Sequence, residues 1–153
     1  KYAVQTQSYG AEARGSTCKS EIVVSDKEID YPKVMKLDVL ISMSQEGLDK
    51  YKADIRADTI VMIDEVMIKD LSGVEEGTKL YKVRATEIAE SLGKRIVANM
   101  VMLGFFTALT DVLSYNALER SIENFFPRHL REINLKAFRK GYDVGRQLML
   151  NTT

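Results

Sequence analysis

The sequence of 153 residues is poor in the residue types from which disulfides, metal sites and many catalytic centres are built. It contains one cysteine, one histidine and no tryptophan. A single cysteine, Cys18, excludes a disulfide within the chain and an iron–sulfur cluster held by this chain alone. Cys18 and His129 together are too few ligands for a zinc site of the Cys/His type. Such chemistry would need residues from another chain.

The chain also lacks an excess of charge of either sign. It carries 22 basic and 22 acidic residues, so its formal net charge is zero. Proteins that bind nucleic acid usually carry a basic surplus that neutralises phosphates, so this balance argues against that class. The most apolar run, residues 96–109, is interrupted by Asn99, Gly104 and Thr107 and is too short to span a bilayer. We expect a cytoplasmic protein without nucleic-acid or membrane partners.

Hydrophobic patterning and turn signals predict strands that alternate with helices. This order favours the α/β class, with an open, mostly parallel, doubly wound sheet and flanking helices. With 45% apolar and 29% charged residues, residues 1–153 are predicted to form a single domain. The predicted strands are residues 1–6, 19–25, 37–43, 59–64 and 80–83. The predicted helices are residues 45–51, 86–92, 96–112, 114–126 and 135–150. Ser44 and Asn134 are predicted as N-caps, and Gly93 is predicted to lie just beyond the second helix.

A glycine-bearing loop between the first two predicted strands is the first candidate site. Its glycines allow unusual backbone angles or close approach of a ligand, and its arginine can bind a carboxylate or phosphate through two hydrogen bonds. The alternative is a tight connection in which Glu12 and Arg14 pair with each other or with solvent, since exposed ion pairs are common and weak. The candidate residues of this loop are Ser8, Tyr9, Gly10, Glu12, Arg14 and Gly15.

A second candidate follows the third predicted strand, where Ser44 and Gln45 begin a helix. Ligands of open α/β sheets bind beside the carboxyl ends of strands, but every such helix also needs a cap, and Ser44 suits that role. The adjacent carboxylates Asp64 and Glu65 end the fourth strand. They are not expected to share a metal, because neighbours in an extended chain point in opposite directions.

The remaining polar candidates are isolated residues. Asn99 lies in a helix predicted to be buried, so its amide should either anchor a neighbouring loop or lie at a subunit interface. Cys18 is predicted to be a bystander thiol, because the chain offers no histidine near it to act as a base. His129 is predicted to be an ordinary surface residue. The sequence therefore shows no complete catalytic set and no catalytic or metal-binding residues.

Several motifs are distributed over nearly the whole chain. They are residues 7–15 (QSYGAEARG), 20–26 (SEIVVSD), 38–46 (DVLISMSQE), 97–104 (VANMVMLG) and 134–138 (NLKAF). Together they resemble the gamma subunit of the 2-oxoacid:ferredoxin oxidoreductases, and the first and fourth motifs are the most specific. The family usually has proline in place of Ala11 and glycine in place of Ser16, so the loop here is expected to be looser.

This resemblance implies a non-catalytic subunit of an enzyme that oxidatively decarboxylates a 2-oxoacid with coenzyme A, giving acyl-CoA, carbon dioxide and reduced ferredoxin. Thiamine diphosphate, Mg and [4Fe-4S] clusters are then expected in partner subunits, with alpha, beta and delta subunits as partners and ferredoxin as an indirect one. The loop motif is most similar to the 2-oxoglutarate branch, followed by the pyruvate and ketoisovalerate branches. The loop, Ser44, Gln45 and Asn99 are candidates for coenzyme A or subunit contacts. Members begin with a strand and a glycine-rich loop upstream, so we expect both to precede Lys1.

A second interpretation remains open at the level of sequence. The chain could be a free-standing α/β domain that binds a nucleotide or coenzyme A at the ends of its strands. A subunit should associate with partner chains, whereas a free-standing domain should show a ligand-dependent shift in melting temperature.

Overall fold

A computed structural model describes residues 1–8, 19–74, 77–110 and 112–152. It confirms the α/β class. The strands are β1 (Tyr2–Ser8), β2 (Lys19–Ser25), β3 (Val39–Ser42), β4 (Ile60–Asp64) and β5 (Lys79–Val83). The helices are α1 (Gln45–Tyr51), α2 (Ala85–Ser91), α3 (Ala98–Leu109), α4 (Tyr115–Phe125) and α5 (Arg128–Thr152), with short 3-10 turns at Lys52–Asp54 and Arg95–Val97.

The strands belong to two separate sheets. β3, β4 and β5 form a parallel sheet in the order β3-β4-β5, as expected for the α/β class. β1 and β2 pair with each other in antiparallel register from Tyr2 opposite Ser25 to Ser8 opposite Lys19. The sequence analysis did not predict this separate antiparallel pair, because periodicity identifies strands without identifying their neighbours.

The residues divide into two compact units. The first comprises Lys1–Val61 and Asp70–Leu80, and the second comprises Met62–Lys69 and Tyr81–Thr153. In the first unit, Leu48, Ile55 and Val61 are buried. The buried hydroxyl of Thr59 donates a hydrogen bond to the carbonyl of Leu37, which fixes the segment that leads into β3.

Helix α1 begins as the sequence predicts. Ser44 has extended backbone angles, and its hydroxyl accepts a hydrogen bond from the backbone N–H of Gly47 at 3.1 Å. The hydroxyl of Ser42, the last residue of β3, donates to the carbonyl of Ser44. Because hydroxyl groups satisfy the backbone on both sides of the connection, the strand-to-helix turn is short and well defined.

The second unit is organised around α3 and α5, whose backbones touch. A Cβ atom added to Gly104 would lie 1.9 Å from the carbonyl oxygen of Phe138, and one added to Gly141 would lie 1.8 Å from that of Val101. Each helix therefore contributes one glycine and one carbonyl to the crossing. Phe105 and Phe138, both fully buried, pack around this contact.

The end of the chain corrects one prediction. Asn134 is not the N-cap of the last helix: α5 begins at Arg128, directly after Pro127, and Asn134 lies inside it. Its amide donates to the carbonyl of Leu130, one turn earlier, and the residue is buried. An asparagine side chain that bonds to nearby backbone suits an N-cap, which is why the sequence predicts a helix start here. In the structure the helix instead continues through Asn134, because Leu135 and Phe138 are buried on its packed face.

The other helix boundaries follow the predictions closely. Gly93 follows α2 with a φ of 87°, a left-handed angle that suits glycine. Ser114 caps α4 by accepting from the N–H of Ala117, and α4 ends just before Phe126 and Pro127. The predicted helix at residues 96–112 is shorter in the structure, because it begins with a 3-10 turn and ends at Leu109.

Candidate functional site

The glycine-bearing loop joins the paired ends of the hairpin formed by β1 and β2. Ser8 is the last residue of β1 and lies opposite Lys19, the first residue of β2. Residues 9–18 therefore connect two strand ends held together by the antiparallel ladder. The candidates Tyr9, Gly10, Glu12, Arg14 and Gly15, and also Cys18, lie outside the described residues. Their assignment as a site stays a prediction.

A groove of about 230 Å³ lies beside the point where this loop enters β2. The ammonium of Lys19 pairs with Glu21 at 3.0 Å and lies 5.4 Å from the ring centre of Tyr51. The hydrogen bond that the Lys19 ammonium donates to the carboxylate of Glu21 holds the pKa of Lys19 above its ordinary value. The groove therefore has an aromatic wall and a mixed set of charges. Its charged lining residues are Lys19, Glu21, Lys36, Asp54 and Arg56.

Ser44 and Gln45, the second candidate pair, both make structural contacts. Ser44 caps α1, as described above. The amide of Gln45 donates to the backbone carbonyl of Asp70 at 2.9 Å and accepts from the N–H of the same residue at 3.0 Å. Because the Gln45 side chain both donates to and accepts from the backbone of Asp70, it holds the segment around Asp70 against α1. The structure thus places both residues together at one helix start, in a positioning role.

Asn99 does not lie where the sequence predicts. The helix α3 that contains it is largely buried, but Asn99 itself is exposed, and its side-chain oxygen accepts from the N–H of Met100 at 2.9 Å. The prediction of a buried amide is wrong, because Asn99 occupies the solvent side of the first turn of α3. Its proposed contact with another subunit stays a prediction.

Asp64 has a clear role that the sequence analysis missed. The carboxylate is fully buried and accepts hydrogen bonds from the N–H and hydroxyl of Thr86 at 2.9 and 2.5 Å, and from the N–H of Val66 at 3.1 Å. Thr86 lies in the first turn of α2, whose own N-cap residue, Arg84, provides no side-chain cap. The carboxylate of Asp64 therefore takes the place of the missing cap, because it accepts from the Thr86 N–H at the start of α2. The signal in the sequence is an acidic residue at the end of an otherwise apolar strand.

A three-residue polar cluster fastens α4 to α5. The same carboxylate oxygen of Glu119 accepts from Arg139 at 2.8 Å and from the hydroxyl of Tyr115 at 2.9 Å. Arg139, and then Tyr115, hold the pKa of Glu119 below its ordinary value. Burial, followed by the hydrogen bond with Glu119, raises the pKa of Tyr115. The Tyr115 ring packs against Phe138, so the cluster borders the core and serves packing.

The described residues hold no group of three or more histidine, cysteine, aspartate or glutamate side chains placed to bind a metal. No described helix has the length and apolar character needed to cross a membrane. His129 lies exposed in the first turn of α5 and borders a second, smaller groove.

Comparison with known proteins assigns the family. The model of the pyruvate ferredoxin/flavodoxin oxidoreductase family matches residues 1–144. The chain belongs to this family. It is 47% identical to the 2-oxoglutarate synthase subunit KorC of Methanocaldococcus jannaschii, over 97% of this chain and 80% of the relative. It is 28% identical to the pyruvate synthase subunit PorC of Thermotoga maritima, over 94% of this chain and 79% of that protein.

A solved structure supports the same assignment. The gamma subunit of a keto/oxoacid ferredoxin oxidoreductase from Geobacter sulfurreducens superposes with a TM-score of 0.79 at 35% identity, covering 94% of this chain and 79% of that one. The chain described here is therefore a gamma-type subunit of a multi-subunit 2-oxoacid:ferredoxin oxidoreductase, as the sequence motifs predict. The chain is part of an enzyme, and a free-standing binding domain is not favoured.

Proposed function

We propose that this chain is the gamma subunit of a cytoplasmic 2-oxoglutarate:ferredoxin oxidoreductase. The reaction converts 2-oxoglutarate, coenzyme A and two oxidised ferredoxins into succinyl-CoA, carbon dioxide, a proton and two reduced ferredoxins. The observation that carries this choice of substrate is the difference between the relatives: identity to the 2-oxoglutarate synthase subunit is far higher than to the pyruvate synthase subunit.

The proposal assigns both the decarboxylation and the electron transfer to other chains of the complex. The described residues contain no three histidine, cysteine, aspartate or glutamate side chains placed to hold a metal ion, so they offer no ligand set for Mg or a [4Fe-4S] cluster. We place thiamine diphosphate with the alpha and beta subunits, and the clusters with the beta subunit and a ferredoxin-like delta subunit. This chain then contributes a surface for assembly, and ferredoxin meets it only through the complex.

Within that complex, the loop between β1 and β2 is the part of this chain that we propose for coenzyme A or subunit contact. The antiparallel ladder holds the loop's two ends together, and Lys19 follows the loop directly. Arg14 suits a phosphate of coenzyme A because a guanidinium can donate two parallel hydrogen bonds. Arg14 could instead bind a carboxylate of a neighbouring subunit through the same geometry.

The first experiment is purification of the tagged protein from its native host under anoxic conditions. Viologen reduction that depends on coenzyme A is then measured with 2-oxoglutarate, pyruvate and branched-chain 2-oxoacids. We expect the alpha, beta and delta chains to co-purify and 2-oxoglutarate to be the preferred substrate. Preference for pyruvate would overturn the choice of substrate, and an inactive chain without partners would overturn the proposed subunit role.

A second experiment tests the loop with a matched pair of variants in the complex. If Arg14 binds coenzyme A, Arg14→Ala should raise the KM for coenzyme A about tenfold while kcat changes little, and Glu12→Ala should leave this KM unchanged. If Arg14 contacts a subunit, the Arg14→Ala complex should lose a chain on size-exclusion chromatography. An unchanged KM and an intact complex in both variants would leave Glu12 and Arg14 as an exposed ion pair.

A further inference from the structure

The charged residues of this neutral chain are unevenly divided between its two units. The first unit has 10 basic and 13 acidic residues, whereas the second has 12 basic and 9 acidic residues. Much of the positive charge of the second unit lies in α5, where residues 128–140 include five basic residues and one acidic residue. A local excess of one sign attracts partners of the opposite sign, so this part of α5 is a candidate association surface.

Most of these cations have no ionic partner in the chain. Arg139 pairs with Glu119. α5 has no acidic residue in its first turn, where a carboxylate would stabilise the helix, and carries two arginines there instead. Folding therefore does not explain this charge. The basic residues of this region whose charged groups have no carboxylate within 4.0 Å, among residues 1–8, 19–74, 77–110 and 112–152, are Lys94, Arg128, Arg131, Lys136 and Lys140.

A groove of about 170 Å³ lies between the segment that follows α2 and one face of α5. Ile133 gives the groove an apolar wall. A second apolar side chain, Ile96, is 83% exposed in the 3-10 turn Arg95–Val97, which contacts α5. The surface therefore combines cations with apolar side chains. The residues that line the groove are Lys94, His129, Glu132, Ile133 and Lys136.

This lining suits an acidic peptide segment better than a free anion. The ammonium groups of Lys94 and Lys136 can donate to carboxylates. The carboxylate of Glu132 would repel a phosphate, but it can accept from the N–H groups of a peptide. Ile133 offers contact to an apolar side chain, which a peptide can supply and an inorganic anion cannot.

We propose that the groove between Lys94 and Lys136 binds an acidic segment of another subunit of the same oxidoreductase complex. The sign of the occupant follows from charge complementarity, because the cations around the groove outnumber its one carboxylate. The occupant is a subunit because this chain acts in a multi-subunit enzyme. This inference rests on the proposed function, since it names a surface through which the gamma subunit joins its complex.

The direct test is carbodiimide crosslinking of the complex as purified from its host. This reagent joins an ammonium group to a carboxylate that touches it, and mass spectrometry then identifies the joined residues. We expect Lys94 and Lys136 to be joined to aspartate or glutamate residues of another subunit. Crosslinks from these lysines only to residues of this chain, within one copy or between two, would overturn the proposal, as would the absence of crosslinks.

A matched pair of double variants separates the groove from the total charge. Lys94→Glu with Lys136→Glu reverses two charges in the groove, and Lys82→Glu with Arg120→Glu reverses two charges of the same unit outside it. All four side chains are exposed, so both variants should fold. We expect the groove variant to bind the crosslinked subunit about tenfold more weakly, measured by size-exclusion chromatography over a dilution series, and the control variant to bind it normally. Equal weakening in both would overturn the proposal.

Acetylation of lysines in the wild-type complex distinguishes a protein segment from a free anion. A docked segment should make Lys94 and Lys136 react several times more slowly than the exposed Lys82, with or without inorganic phosphate. Protection that appears only when phosphate is added would assign the groove to a free anion and overturn the proposal.

The proposed function fails in a different way. If the wild-type protein brings no partner chains and no oxidation of 2-oxoacids, the subunit role and the docking groove are both wrong. If it brings an active complex in which Lys94 and Lys136 are acetylated as fast as Lys82, the subunit role stands and only the docking groove is wrong.

Discussion

The α3–α5 pair and the β1–β2 hairpin are two contrasting ways of joining elements through the backbone. At the helix crossing, glycines bring backbone against backbone, and the neighbouring side chains Phe105 and Phe138 are fully buried. In the hairpin, hydrogen bonds join the strands, but Ile22 and Val24 remain exposed. The helix crossing therefore buries the side chains around its contact, whereas the hairpin leaves apolar side chains exposed.

The largest expected effect is at the crossing. Gly141→Ala places a methyl group 1.8 Å from a backbone carbonyl oxygen, which cannot move without shifting α3. We expect a loss of at least about 3 kcal/mol in the free energy of unfolding, measured by urea denaturation. Gly77→Ala is the matched control, because a Cβ at Gly77 meets nothing and only its positive φ is strained. Equal losses of unfolding free energy in the two variants would show that the close approach of Gly141 to Val101 does not determine the stability of the α3–α5 crossing.

The next largest effect is expected at the buried carboxylate. Asp64→Ala leaves the N–H and hydroxyl of Thr86 without their acceptor in a buried site, at a cost of about 3 kcal/mol. Glu65→Ala, at the next position, should cost no more than about 0.5 kcal/mol. Chemical denaturation of both variants measures the difference. Similar losses would contradict the distinct roles that the structure gives these neighbouring acids.

A smaller, pH-dependent effect is expected where α4 meets α5. Arg139 lowers the pKa of Glu119 in the folded chain, so this ion pair contributes stability above the pKa of the unfolded chain and loses it as pH falls through the folded pKa. Glu119→Gln should therefore cost up to about 1 kcal/mol at pH 7 and almost nothing in strong acid.

Denaturation of Glu119→Gln and of the wild type at both pH values measures this effect. A double-mutant cycle with Arg139→Met supplies the control. A difference in unfolding free energy that does not change with pH would show that Glu119 acts through packing instead of through its charge.

The smallest effect on folding is expected in the hairpin. Ile22→Ser removes an apolar side chain that is already mostly exposed, so the free energy of unfolding should change by about 0.5 kcal/mol or less. Val101→Ser, at a buried residue of α3, is the contrasting variant and should cost several times more. If Ile22→Ser is as destabilising as Val101→Ser, the hairpin is part of a core and the comparison with the helix crossing fails.

Local signals made much of the fold predictable. The start of α1 at Ser44 and the end of α2 before Gly93 depend on hydrogen bonds and backbone angles within a few residues, so the sequence predicts them correctly. Asn134 shows the limit of such signals. The same residue suits a cap or a buried helical position, and only the packing of α5 against other elements decides between the two.

The candidate site was less predictable, for physical reasons. The role of Asp64 depends on Thr86, which is 22 positions further along the chain, and Gln45 reaches Asp70 across 25 positions. Single-sequence patterns do not identify partners at such separations. The exposure of Asn99 depends on the rotation of α3 about its axis, which its nearly uniform apolar sequence leaves undefined.

The crossing of α3 and α5 has a spectroscopic consequence. Where a Cβ at Gly141 would lie 1.8 Å from the carbonyl oxygen of Val101, the glycine carries a hydrogen, and that Cα–H points toward the oxygen. The same holds for Gly104 and the carbonyl of Phe138. Each site has the arrangement of a weak Cα–H···O hydrogen bond, of the kind that recurs where helices approach closely. One of the two α-protons of each glycine should therefore resonate downfield of its geminal neighbour in the proton NMR spectrum.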